Sequence, residues 1–160
     1  MAAITASMVK ELREMTDAGM MECKKALVEA EGDMDKAVDV LRTRGIASVA
    51  KKSGRATNEG TVMVLASDDA KRACALELNC ETDFVGMNDT FKGYARRIAQ
   101  VALDNDLSCA DALMEASAAD GLKVSDIIAD CIHVLGENTS VKRVCTVDAD
   151  AVATDRTSVV

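Results

Sequence analysis

An α+β fold is predicted for this chain: a bundle of three short helices, then a mixed part in which a small antiparallel sheet of three strands packs on helices. Apolar residues recur at helical spacing through the first fifty or so positions. The spacing turns to strand alternation over 61–80, and a second set of helical stripes follows. Between the two patterns lies Ser53-Gly54-Arg55-Ala56-Thr57-Asn58-Glu59-Gly60, a polar, hinge-like linker. The expected division is 1–52 for the helical bundle, 53–60 for the linker, 61–149 for the mixed part and 150–160 for a tail.

Thr5 caps the first helix, with Ile4 and Val9 placed to clasp across the cap. Val9 and Leu12 form its stripe, with Met8 and Met15 alongside. The turn Thr16-Asp17-Ala18-Gly19 launches a second helix whose inner face carries Met20, Cys23 and Leu27. Gly32 ends that helix and Asp33 caps the third, which has Ala37, Val38 and Leu41 as its stripe and Gly45 as its stop. A further helical turn fits Ile46 to Lys52. Helices this short do not hold in water alone, so they must pack on one another.

Beyond the linker, Thr61 to Ser67 and Arg72 to Cys80 read as strands joined by the turn Asp68-Asp69-Ala70-Lys71. Cys74, Leu76, Leu78 and Cys80 share one face of the second strand, and Glu77 and Asn79 point the other way. Asn88 or Asp89 caps the next helix, where Phe91, Tyr94, Ala95, Ile98 and Ala102 line up as a buried stripe. Two more helices fit Cys109 to Ala116 and Ser125 to Leu135, the second capped by Ser125. Val141 to Val147 is the third strand, paired to the hairpin over a long range. In the tail, Val159 and Val160 read as the first step of another strand, at a fraying end or in a chain that continues.

Composition narrows the function classes. The chain carries 27 Asp and Glu against 19 Lys and Arg, a net charge of −8, and its basic residues are not gathered in a long block, Lys24-Lys25, Lys51-Lys52 and Arg96-Arg97 being isolated pairs, which argues against nucleic acid as the partner. No apolar run is long enough to cross a bilayer, and the start is not a secretion signal. The six cysteines are scattered and match no metal-binding spacing. A cytoplasmic, reduced protein without metal or cofactor is the plain reading.

Few residues stand out as carriers of function. Phe84, one of two phenylalanines, lies in the short polar connection Glu81-Thr82-Asp83-Phe84-Val85-Gly86. Such a ring either folds back onto its own core, worth about 1.5–3 kcal/mol of transfer free energy, or anchors a partner. Asp83 beside it and the freedom of Gly86 bring the two readings level, and a tip offered to another protein is the reading carried forward. Met20 and Met21 cannot both pack, so at least one faces outward near Lys24, either as ordinary surface or as an adaptable docking face for a partner. His133, the sole histidine, has Cys131 and Cys145 as conceivable partners in nucleophilic chemistry, but nothing in the spacing brings them together. It reads as structural, and no catalytic pair of carboxylates is evident.

Three stretches carry a resemblance. Ile4-Thr5-Ala6-Ser7 with Val9-Lys10-Glu11-Leu12-Arg13, then Thr16 through Leu27, then Asn79-Cys80-Glu81-Thr82-Asp83-Phe84-Val85 closely resemble the bacterial translation elongation factor Ts family, and Gly136-Glu137-Asn138 fits as well. The resemblance implies a guanine-nucleotide exchange factor that releases GDP from elongation factor Tu, and not an enzyme. It implies that residues 1–52 are similar to ubiquitin-associated domains and dock on the GTPase domain of Tu; Met20, Met21 and Lys24 are the candidate docking residues within that unit. It also implies that Thr82, Asp83, Phe84 and Val85 form the exchange site, Asp83 and Phe84 entering near the magnesium and phosphate positions. Longer family members continue into a second sheet-containing half, so 150–160 would be its start. Any homodimer built through that half, and full affinity for Tu, would depend on it. A Tu-binding adaptor without exchange activity is the alternative.

Overall fold

The computed structural model describes residues 4–16, 18–154 and 158–159. Seven helices and four strands follow one another among them: α1 (Ala6–Thr16), α2 (Met20–Glu29), α3 (Met34–Lys52), β1 (Glu59–Ala66), β2 (Arg72–Cys80), α4 (Asp83–Met87), α5 (Asp89–Asp104), α6 (Ala110–Glu115), α7 (Val124–Leu135), β3 (Ser140–Asp148) and β4 (Ser158–Val159). The architecture is α+β, as predicted, with N-terminal helices and a small antiparallel sheet packed on helices.

The first helices form where their caps and stripes put them. Thr5 Oγ1 accepts the Met8 N–H at 3.3 Å, and Val9 and Leu12 are buried with Cys23, Ala26, Leu27, Ala37 and Leu41 in one cluster against which Ile4 packs. Gly32 takes the left-handed conformation that closes α2, and Asp33 caps α3 by accepting the Lys36 N–H at 3.0 Å. Asp17, in the expected turn before α2, lies outside the described residues.

Two expectations for this part are corrected. Met20 is exposed rather than inward, because Ala26 joins Cys23 and Leu27 to complete the buried face of α2. Gly45 does not stop the third helix, which runs unbroken to Lys52. A Cβ at Gly45 would lie 3.8 Å from the Ala129 carbonyl oxygen and 3.9 Å from the His133 Cβ, so the glycine lets α3 run close to α7. Glycine inside a helix costs about 1 kcal/mol relative to alanine, and the packing it permits offsets that. Arg42 pairs with Asp126 at 2.8 Å across the same contact, and Lys52 Nζ donates to the Ile132 carbonyl oxygen at 3.3 Å.

The segment expected to hinge is instead tied to the sheet-bearing part. The Arg55 carbonyl oxygen accepts from Asn138 Nδ2 at 2.8 Å, the Thr57 carbonyl oxygen accepts from Asn79 Nδ2 at 3.2 Å, and the Thr57 and Ser140 hydroxyls lie 2.9 Å apart. Its last residues, Glu59 and Gly60, already belong to β1.

The sheet has four strands in the order β3-β2-β1-β4, all antiparallel, where three were expected. The added strand is the tail itself: Val159 pairs with Thr61 and Ser158 with Val62. Val159 is therefore in a strand as anticipated, and Val160 lies outside the described residues. The hairpin turns as expected at 68–71, with the Ser67 N–H donating to the Arg72 carbonyl oxygen at 2.8 Å. A bulge at Glu77/Leu78 interrupts the pairing of β2 with β3.

One face of the hairpin packs on α5, whose Phe91, Ala95, Ile98 and Ala102 are fully buried against Cys74, Leu76 and Leu78. Glu77 and Asn79 face away from that core yet are buried too: Arg143 covers Glu77 with a contact of 2.6 Å, and Asn79 is held by the 53–58 segment. The helix after α5 is shorter than expected, Ala110–Glu115. Ser125 does not cap α7, which begins at Val124 with Lys123 in the cap position and no side-chain cap.

Candidate partner-binding site

The connection after β2 is not an irregular polar loop. It is a one-turn helix, α4, standing between β2 and α5. Thr82 is its N-cap: extended backbone places its Oγ1 3.5 Å from the Val85 N–H, which it accepts. Asn88 both ends α4 and caps α5, its Oδ1 accepting the Thr90 N–H at 2.8 Å. Two caps six residues apart thus cut one helical run into two and change its direction at Asn88.

The same short element sorts its side chains sharply. Val85 packs against the core cluster, and Gly86 is buried. Phe84 is 82% exposed, and Met87, one turn on, is 51% exposed. Asp83 is exposed beside the ring, and its Oδ1 accepts the Phe84 N–H at 2.9 Å. A ring and a thioether therefore stand in water with a carboxylate at their side, forgoing the burial energy that Phe91 secures one turn into α5. Of the two readings left open by the residues, the structure excludes the one in which Phe84 folds onto its own core.

Gly86 has a different role from the one expected of it. It does not lend mobility to the tip. A Cβ there would lie 2.9 Å from the Gly60 carbonyl oxygen, so the missing side chain lets α4 sit directly on the backbone of β1. Gly60 is equally constrained, since a Cβ on it would lie 2.2 Å from the Leu78 carbonyl oxygen. Two glycines in contact fix the base on which Phe84 stands.

The other end of that base comes from a segment whose role the residues alone did not reveal. Glu137 Oε2 accepts the backbone N–H groups of Glu81 and Thr82 at 3.1 and 3.0 Å, and the Thr82 hydroxyl donates to Glu137 Oε1 at 2.7 Å. Glu81 reciprocates, its Oε1 accepting the Asn138 N–H at 2.6 Å while Arg55 approaches it at 3.4 Å. Gly136, left-handed at the end of α7, delivers the chain to this clasp. Burial, with the charge of Glu137 next, pushes the neighbouring Cys80 thiol up to about 11. Only the family resemblance had drawn attention to 136–138; no local pattern signals a contact across more than fifty positions.

The remaining candidates fall elsewhere. Met20 and Met21 are 57% and 65% exposed, and with exposed Lys24 and Val28 they give α2 an outward apolar face with a cation on it. His133 lines a cleft of about 660 Å³ between α3 and the α5/α7 pair, together with Leu41, Tyr94 and Ile127. The structure does not join it to a reactive thiol. Cys131 is a fully buried core residue whose thiol burial pushes up to about 12, and its sulfur lies 3.8 Å from the Thr139 hydroxyl. Cys145 is exposed on β3, its thiol 3.7 Å from the Thr146 carbonyl oxygen. No helix among the described residues is long and apolar enough to cross a membrane.

Comparisons with known proteins converge on one family. A family model described as "Elongation factor TS" matches residues 81–156, from the root of α4 through the clasp and β3. The chain is 54% identical over 146 residues to the elongation factor Ts of Desulfovibrio desulfuricans, covering 89% of this chain and 48% of the relative. It is 47% identical over 148 residues to that of Hydrogenovibrio crunogenus, covering 92% of this chain and 50% of the relative. With the factor of Arthrospira platensis it shares 47% identity over 151 residues, 94% of this chain and 61% of the relative. The chain spans about half the length of the curated relatives it matches.

Proposed function

The chain belongs to the elongation factor Ts family, and from that and from the geometry of α4 we infer that it promotes release of GDP from elongation factor Tu by inserting Asp83 and Phe84 near the magnesium and phosphate positions of the GTPase domain. The observation that carries this reading is the exposed ring of Phe84 on a base that is itself capped, packed and hydrogen-bonded. A large apolar side chain held out from a rigid support suits an anchor that enters a pocket on a partner.

Exchange of this kind needs no covalent chemistry. It needs a factor that binds the nucleotide-free partner more tightly than the nucleotide-bound one, and linkage then obliges each ligand to weaken the other equally. A thousandfold change in nucleotide affinity corresponds to about 4 kcal/mol of coupling. One aromatic anchor, truncation of which typically costs about 2 kcal/mol or more, supplies a large share of that, and the docking surface supplies the rest. In this reading Phe84 displaces side chains that organise the magnesium site and Asp83 competes with polar contacts there. Thr82 holds the start of the turn and Val85 roots it. Residues 1–52, a unit similar to ubiquitin-associated domains, dock through Met20, Met21 and Lys24.

The decisive measurement is the rate at which fluorescent GDP leaves elongation factor Tu in excess unlabelled nucleotide, with and without this protein. Acceleration supports the reading, and its loss in Phe84→Ala with the fold retained ties it to the ring. Binding to Tu with no change in GDP release would select the alternative, a Tu-binding module without exchange activity.

A further inference from the structure

A one-turn helix has no stability of its own, so the direction in which it points is set by what holds its ends. The C-terminal half of α4 rests on Gly60 through Gly86. Its N-terminal end is held by Glu137, whose carboxylate receives three hydrogen bonds within 3.1 Å, two from backbone N–H groups and one from the Thr82 hydroxyl. An ionised carboxylate only accepts. It therefore commits the Thr82 hydroxyl proton to Oε1 and leaves an oxygen lone pair facing the Val85 N–H, which is the capping bond of α4.

We propose that Glu137 is a positioning residue for the exchange tip: by orienting Thr82 it sets the direction in which α4 projects Asp83 and Phe84. The functional half of this proposal rests on the exchange reading above; the structural half rests on the clasp alone. Without the carboxylate, the Glu81 and Thr82 N–H groups lose their acceptor and the Thr82 hydroxyl is free to rotate. The turn then samples other directions, while Phe91, Leu76, Leu78 and Ile98 remain packed as before. Glu137 would not touch the partner. Its effect passes through Thr82.

The test uses the whole chain. It contains no tryptophan, so Phe84→Trp places a single indole at the tip. In that background Glu137→Ala, Glu137→Gln and Thr82→Val are compared by time-resolved fluorescence anisotropy and urea unfolding. In the Phe84 background the same substitutions are compared by GDP release from elongation factor Tu over a range of factor concentrations. Glu137→Ala is expected to enlarge the fast component of indole motion. It should lower the maximal release rate by about tenfold or more, with half-saturation changed by less than about threefold, since the anchor is lost and the docking face is not. Glu137→Gln keeps an acceptor for the two backbone donors but turns an amide donor toward Thr82, so its release rate should fall between those of the parent and Glu137→Ala. Thr82→Val should resemble Glu137→Ala, and the double variant should add little, because both act through one network.

Unchanged indole motion in Glu137→Ala would overturn the proposal, as would a release rate that falls only in proportion to the folded fraction. If Phe84→Ala abolishes exchange and Glu137→Ala does not affect it, positioning fails and insertion stands. If Phe84→Ala leaves exchange untouched, insertion fails, and the anisotropy comparison decides the role of Glu137 by itself.

Discussion

Phe84 and Phe91 are the only two phenylalanines of the chain and lie on consecutive helices, yet one ring is 82% exposed and the other fully buried. The helices differ in what holds them. The sixteen-residue α5 is held by its side chains, an apolar stripe laid on the sheet. The five-residue α4 is held mainly by its backbone and ends, through two caps, a glycine contact and a carboxylate from another segment. An element fixed in that way can spare its large side chain for something outside the molecule. An element fixed by burial cannot.

The largest effect expected from breaking this contrast is at Phe91. Phe91→Ala empties a site in the centre of the main cluster and should cost about 3–5 kcal/mol, visible as a collapse of the urea midpoint, with any loss of activity following loss of fold. Phe84→Ala should do the reverse. Unfolding should move by no more than about 0.5 kcal/mol, while stimulated GDP release falls by about thirtyfold, the equivalent of a 2 kcal/mol anchor. A core-like drop in stability for Phe84→Ala, without a specific rate defect, would erase the distinction between the two rings.

Gly86→Ala sharpens the comparison from the backbone side. The added methyl meets a carbonyl oxygen of β1 that cannot easily yield, so α4 must shift, at a cost of about 1–3 kcal/mol. Release should slow although neither Asp83 nor Phe84 is altered. A Gly86→Ala protein as stable and active as the parent would show that the glycine contact does not set the base. Asp83→Ala should have the smallest effect on exchange of these tip substitutions, because an exposed carboxylate is screened and makes its bond within its own turn.

The thiols give a test of burial that is independent of any partner. Burial pushes Cys131 up to about 12, and Cys74 and Cys80 up to about 11, from an ordinary value of 9.0. A thiol whose folded value is raised stays protonated in the fold after it has ionised in the unfolded chain. Its contribution is complete below about pH 9 and is lost as pH rises toward 11 and 12. Urea midpoints should therefore fall over that alkaline window and not between pH 7 and 8. At neutral pH an alkylating reagent should modify Cys109 and Cys145, both exposed, well before Cys23, Cys74, Cys80 and Cys131, as peptide mass spectrometry would read.

What could be read in advance follows the range of the forces involved. Asp33, Asn88 and the turn at 68–71 act on backbone groups within three or four positions, and their elements appear as expected. Gly45 misleads because its local tendency to end a helix is outweighed by a close approach to α7, more than eighty positions away. Ser125 misleads for a smaller reason: helix starts shift easily by one or two residues, and a suitable side chain two positions past the cap caps nothing.

By itself, the order of residues determined which stretches become helix or strand, where most of them are capped, that Phe91 and its stripe must be inside, and which family the chain resembles. Those are consequences of hydrogen bonds and periodicities that close within a few positions. Tertiary structure alone decided that Phe84 stands outside on a helical turn, that the strand in the tail pairs with β1, that Gly86 rests on Gly60, and that Glu137 holds Thr82. Each of those joins groups that the chain separates widely, and a one-dimensional pattern carries no record of which distant backbone will come within 3 Å of another.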